Sequence, residues 1–242
     1  MTNELAQPET SLKHLRTGQV EMAGRFVYGS NYTFLVDVQL GDQHLPAVYK
    51  PSRGERPLWD FPGGTLAQRE VAAYVVSHAI GWDFVPPTVL RDDGPAGEGS
   101  LQLYVETEQD QNYFTLSPVQ KERLRPVAVF DALINNADRK GGHILLSPNG
   151  KLWLIDHGIC FHEHDKLRTV IWDFAGEPIP ERLLADVDGF LGAMDGTDLS
   201  DQLAALLAPR ELEAMRQRGQ RLLAEGVFPL PGDERPYPWP LV

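Results

Sequence analysis

Two short apolar runs, HILLS and KLWLID, flank Pro148-Asn149-Gly150, a strong signal for a tight β-hairpin. Asp138-Arg139 stands just before the first run, at the end of a stretch with helical spacing, and Asp156-His157-Gly158 closes the second. His143 follows Asp138 by five residues. A hairpin returns the chain to where it left, so this segment delivers one acidic residue from a loop and another from a strand end to the same place. Phosphoryl transfer needs such a pair. One carboxylate orients or deprotonates the acceptor, and the other holds the metal that bridges the nucleotide phosphates.

The stretches around this segment divide the chain into two kinds. Glu4 to Leu15 has the character of a short helix. Gly24–Tyr28 and Tyr32–Leu40 read as strands around the turn Gly29-Ser30-Asn31, and Leu45–Lys50 follows Gly41-Asp42 as a third antiparallel strand. Residues 51–64, rich in Pro and Gly, read as a loop. The spacing of Leu66, Val71, Tyr74, Val75 and Ile80 predicts a helix capped by Thr65 and stopped by Gly81. Val85–Leu90 and LQLYVE add two strands, so five strands and one helix occupy residues 20–106. Beyond them the pattern turns helical. PVQKERLRPVAVFDALINN predicts a buried helix in which Pro126 either makes a kink or marks the true start. Further helices are expected at Glu181–Met194, Ser200–Leu207 and Arg210–Glu225, with the proline-rich PLPGDERPYPWPLV extended along the surface. The fold class expected is α+β.

The 242 residues carry a formal net charge of −12, with 42% hydrophobic residues. That apolar content suits a folded core rather than a disordered chain. The acidic balance argues against a general nucleic-acid binder, which displaces counterions with a basic surface, and against adhesion to an anionic membrane. A local basic pocket stays open. The single cysteine, Cys160, allows no disulfide within the chain and no four-cysteine zinc site, and is expected to be a buried thiol. The opening MTNELAQPET lacks the basic start and apolar run of a signal peptide, and no run approaches 18 apolar residues. A soluble, cytoplasmic protein with no integral membrane association is the expectation.

Asn136-Ala137-Asp138-Arg139, the hairpin and Ile155-Asp156-His157-Gly158 together resemble the protein-kinase-like superfamily. The resemblance is to its phosphatidylinositol 3-/4-kinase branch, with type II phosphatidylinositol 4-kinases and HipA-type bacterial kinases closest in pattern. It implies a two-lobed protein-kinase-like fold in one domain over residues 1–242, with a β-rich N-lobe holding one helix (1–106) and a mostly helical C-lobe (107–242). It implies an ATP-dependent phosphotransferase, a kinase, with ATP and Mg²⁺ or Mn²⁺ as cofactors. Asp138 is then the catalytic aspartate, with Arg139 bracing its loop. Asp156 binds the metal together with the residue at position 143. Gly29 and Ser30 cover the phosphates, Lys50 contacts them, and Glu70 pairs with Lys50. Tyr104, Val105 and Glu106 form the hinge that receives adenine. The acceptor implied is a hydroxyl of a protein or a small molecule, lipid included. Residues 20–175 carry the resemblance, and residues 176–242 add no motif to it.

The chain departs from that pattern at His143, where the family has Asn, and at Lys140, where it commonly has His or Gly. Imidazole is a softer ligand than an amide oxygen and suits Mn²⁺ or Zn²⁺ better than Mg²⁺. Two other classes therefore stay open. One is a pseudokinase that binds nucleotide or partner without transfer. The other is a metal-dependent hydrolase built on His143, His157, His162 and His164, although their spacing matches no standard zinc pattern. Each chosen residue also has a plainer role: Lys50 a solvated strand end, Glu70 a surface pair with Arg69, Gly29 a hairpin turn, Asp173 a helix start.

Overall fold

The computed structural model describes residues 8–26, 32–107, 111–232 and 235–242. Helix α1 (Pro8–Thr17) leads into strands β1 (Gln19–Arg25), β2 (Phe34–Leu40) and β3 (Gln43–Pro51). Helix α2 (Leu66–Ala79) follows, then β4 (Thr88–Gly94) and β5 (Gly97–Leu103). All five strands form one antiparallel sheet in the order β1-β2-β3-β5-β4. Then come α3 (Pro118–Glu122), α4 (Arg125–Ile134), the hairpin β6 (Ile144–Leu146) and β7 (Leu152–Leu154), and helices α5 (Glu181–Ala193), α6 (Thr197–Ala204) and α7 (Pro209–Glu225).

The two-residue period of β3 decides which side chains reach the site. Leu45, Ala47 and Tyr49 face inward and pack with Leu15, Val36, Val38, Val89 and Leu101. Val48 and Lys50 therefore point to the opposite face, where a large cleft begins. Pairing of β3 with β5 sets Lys50 opposite Ser100 and Val48 opposite Gln102.

A larger core joins α4, the β6–β7 hairpin and α5–α7. Ala72, Ala73, Tyr74 and Val76 of α2 belong to it, so α2 packs onto the helical part as well as beneath the sheet. Nearly every turn of α2 is buried, which is why its apolar residues show a weak one-sided pattern.

Three expectations shift. The first strand runs over Gln19–Arg25 rather than Gly24–Tyr28, and residues 27–31 lie outside the described residues. β1 is an edge strand, exposed along almost its whole length and bulged between Met22 and Gly24, so no alternation marks it. The helix expected from residue 118 divides into two. Ser117 caps α3 through Gln120, and Pro126 sits in the first turn of α4, where its missing N–H costs nothing. The third concerns the C-terminal segment, which is extended as expected and also lines the cleft through Tyr237, Trp239 and Val242. Cys160 is buried, as its apolar surroundings imply.

Candidate active site

Between the sheet and the helical part lies a cleft of about 1010 Å³. Val48, Gln102, Tyr104, Val105, Leu145 and Ile155 line one part of it, and Lys50, Glu70, Asp138, Lys140, His143 and Asp156 line another. Glu106 is not among the lining residues. Gly29 and Ser30, expected over the phosphates, lie outside the described residues.

Lys50 is the hub. Its Nζ is paired with Glu70 Oε1 and lies 3.0 Å from Asp156 Oδ1. Burial disfavours the Lys50 ammonium, but Asp156 and Glu70 together outweigh it and raise its pKa. Glu70 is held from the other side, since the His157 backbone N–H donates to Glu70 Oε2 at 3.0 Å. One buried carboxylate thus ties α2 to both β3 and the loop after β7.

Asp156 takes a left-handed backbone, φ 63°, which turns its carboxylate out of the hairpin and into the cleft. Its second oxygen, Oδ2, lies 3.2 Å from His143 Nε2. The Lys50 ammonium, with help from His143, holds the Asp156 carboxyl well below the usual carboxylate range. His143 is pushed down to about 4, mainly by burial, and is neutral at pH 7. Lys140 N–H approaches His143 Nδ1 at 3.5 Å, which leaves the imidazole proton on Nε2, facing Asp156.

Asp138 lies across the cleft mouth. Asn136 Oδ1 accepts from the Asp138 backbone N–H at 2.9 Å and shapes the turn. Lys140 Nζ is 3.2 Å from Asp138 Oδ2. Burial, opposed by Lys140 and aided by Asp156, pushes Asp138 up to about 6. A carboxylate with that pKa is a better base than an ordinary aspartate and is still ionised at neutral pH.

Arg139 does not face the cleft. It is fully buried, with Asp131 Oδ1 2.9 Å from Nη2. It also donates to the Ile155 carbonyl at 3.1 Å and to His157 Nε2 at 2.8 Å. Arg139 therefore fastens the loop carrying Asp138 to α4 and to the end of β7. His157 Nδ1 has no partner among the described residues, and burial and Arg139 keep the ring far below its usual pKa. Asp131 was legible only as a charged residue inside an apolar helical stripe, VFDALI, which demands a buried partner.

The histidines do not converge. His157 is buried behind the cleft, and His162 bonds the Asp60 carbonyl at 2.9 Å and packs on Phe61. Among the described residues no group of three His, Cys, Asp or Glu stands together to hold a metal ion. Asp173 accepts from Tyr113 and lies 3.3 Å from Lys121 Nζ, away from the cleft lining.

Sequence comparison agrees with this geometry. The phosphatidylinositol 3- and 4-kinase family profile matches residues 67–199, more than half the chain and including Glu70, Asp138, His143 and Asp156. This chain belongs to that family. A relative 44% identical over 261 residues, covering 93% of both chains, is Protein Rv2133c of Mycobacterium tuberculosis. Phosphatidylinositol 4-kinase gamma 4 of Oryza sativa is 35% identical over 177 residues, covering 60% of this chain and 30% of the plant protein. The fold matches the structure of hydra Fam20 with sugar, with a TM-score of 0.51 at 15% identity, covering 93% of this chain and 89% of that one. The architecture is protein-kinase-like and the activity class is a kinase-like phosphotransferase. Among the described residues no helix is long and apolar enough to cross a membrane.

Proposed function

We propose that the chain transfers the terminal phosphoryl group of ATP to a hydroxyl of a protein or small molecule, with lipid headgroups among the candidates. The observation that carries this reading is the Lys50–Glu70–Asp156 network facing Asp138 across one cleft. Lys50 offers its ammonium to the phosphates, and Tyr104 and Val105 flank the base. Asp138 accepts the proton of the acceptor hydroxyl. The acceptor oxygen forms a bond to the terminal phosphorus as the bond to the bridging oxygen breaks, and ADP leaves. Lys140, beside Asp138, stabilises the charge that develops on the transferring group.

The family implies a divalent cation. Mg²⁺ takes hard oxygen ligands and commonly binds one or two carboxylates plus substrate phosphates. Asp156 fits that role, and bound there the cation would supply electrostatic stabilisation of phosphate charge. His143 donates to Asp156 and orients it; its imidazole would serve as a second ligand, better suited to Mn²⁺ than to Mg²⁺, only by giving up the Nε2 proton and that hydrogen bond.

A second reading rests on one specific observation. Both Asp156 oxygens already meet protein donors, Lys50 and His143, which suits a nucleotide-binding protein that performs no transfer. Calorimetry with ATP and Mg²⁺ or Mn²⁺, on wild type and Asp156→Asn, followed by assay of ADP release, separates the two. Metal-dependent binding with turnover supports transfer. Binding without turnover supports the pseudokinase. The absence of binding defeats both.

A further inference from the structure

Residues 236–242 run across the site as a strap. The Pro236 carbonyl accepts from the Thr169 backbone N–H and from Trp172 Nε1, each at 3.1 Å. The Leu241 carbonyl accepts from the backbone N–H of Gly141 at 2.7 Å. Gly141 is buried and lies between Asp138 and His143 in the loop that carries both. Segment 168–170 is bonded on one side to Arg139 and on the other to the strap, so it lies between the two backbones.

The loop is shaped to receive the strap. A Cβ on Gly141 would stand 2.8 Å from Phe114 and 3.4 Å from the Leu241 carbonyl, and one on Gly142 would lie 3.7 Å from Val242. A side chain at Gly141 would push against Phe114, and one at Gly142 would meet Val242 at ordinary contact distance. Pro238 is the strap's buried anchor and lines the cleft together with Tyr237, Trp239 and Val242, of which Trp239 is 82% exposed.

A strap over a site either plugs it or builds it. Here the cleft keeps about 1010 Å³ with the strap in place, at the upper end of ligand-pocket sizes of roughly 300–1,000 Å³. The strap is a wall and leaves the space open. It also satisfies a buried backbone N–H that would otherwise be orphaned inside the catalytic loop. We infer that residues 236–242 are a working part of the active site: Leu241 positions the Gly141–His143 loop, and Trp239 and Tyr237 form an aromatic wall on which an acceptor with a flat or apolar face rests. This inference rests on the phosphotransfer reading.

The test uses the full-length chain. Pro238→Glu places a charge at the buried anchor and releases the strap, while Pro238→Val keeps it apolar. Amide hydrogen exchange at Gly141, ATP affinity by calorimetry and ATP hydrolysis to water are measured for all three proteins. In Pro238→Glu the Gly141 amide is expected to exchange at least about tenfold faster. Its kcat for hydrolysis is expected to fall about tenfold with KM for ATP within about twofold, because the loop and not the nucleotide is displaced. Pro238→Val is expected to restore both. Hydrolysis that stays unchanged or rises in Pro238→Glu overturns the inference, a rise identifying the strap as a gate. Rapid Gly141 exchange in wild type overturns it as well. Failure of wild type to bind ATP strikes the phosphotransfer reading itself, and the calorimetry reports that separately.

Discussion

Arg69 of α2 is ion-paired with Glu211 in the first turn of α7, across the boundary between the sheet and the helical part. Arg69 also donates to the Cys160 carbonyl at 2.6 Å, and its guanidinium stacks over Phe61. Glu211 Oε2 accepts from the Ala208 backbone N–H at 2.9 Å and so caps α7. The neighbouring residue, Glu70, faces the opposite way, toward Lys50. Helix α2 is thus fixed at adjacent residues, by Arg69 to α7 and by Glu70 to Lys50 of β3.

Arg69→Met leaves Glu211 with its partner gone. Removing one member of a buried pair costs about 3–5 kcal/mol, and equilibrium denaturation is expected to show a loss of that order. ATP affinity is expected to fall at the same time, because Glu70 loses its register. Unchanged ATP binding in folded Arg69→Met protein would separate the two pairs.

Asp156→Asn tests charge without disturbing the backbone, since Asn tolerates the left-handed conformation Asp156 adopts. Lys50 keeps Glu70 but loses half its counter-charge. ATP turnover is expected to drop by about 10²–10³, and thermal stability to fall as well, because the ionised Asp156 carboxyl held by Lys50 contributes stability at neutral pH. Turnover within a fewfold of wild type would remove Asp156 from the mechanism.

In the proposed transfer Asp138 must be ionised to accept a proton, and its pKa is pushed up to about 6. Turnover is expected to rise about tenfold between pH 5 and pH 7 and then level off. A profile flat across that window would assign the base elsewhere.

His143 and Asp138 pull stability in opposite directions as acid is added. His143 is depressed from 6.5 to about 4, so the folded state resists its protonation. Its contribution is full above pH 6.5 and is lost as pH falls toward 4. Asp138 is raised from 3.8 to about 6, so its contribution is full below 3.8 and is lost as pH rises through 6. His143→Asn is therefore expected to lose about 2 kcal/mol less than wild type between pH 7 and pH 5, read from urea midpoints at each pH. Equal losses in the two proteins would contradict the depressed imidazole.

Gly99 lies on β5 beside Lys50. A Cβ there would stand 2.5 Å from the Lys50 carbonyl oxygen and 2.7 Å from Pro51 Cα, both backbone atoms that cannot rotate away. Gly99→Ala is expected to cost about 1–3 kcal/mol in denaturation and to weaken ATP binding by displacing the end of β3. Full stability with full affinity would show that the sheet edge yields.

Much of this protein is determined locally. Alternating side chains put Lys50 on the cleft face of β3, and Pro148-Asn149-Gly150 closes a hairpin that brings Asp156 back beside His143. Period, turn chemistry and short spacing suffice for those, because each depends on residues close in the chain. Tertiary structure decided the rest. Arg139 reads as a neighbour of the catalytic aspartate, yet its guanidinium points inward to Asp131, because a buried helix carboxylate needs a fixed partner. Arg69 and Glu211 are 142 positions apart, and no periodicity links them. The strap reads as a proline-rich surface segment, and only long-range packing reveals that the Leu241 carbonyl completes the loop between Asp138 and His143. Residues that meet through backbone bonds leave no side-chain pattern to read, so that contact was beyond the sequence and belongs to the folded chain alone.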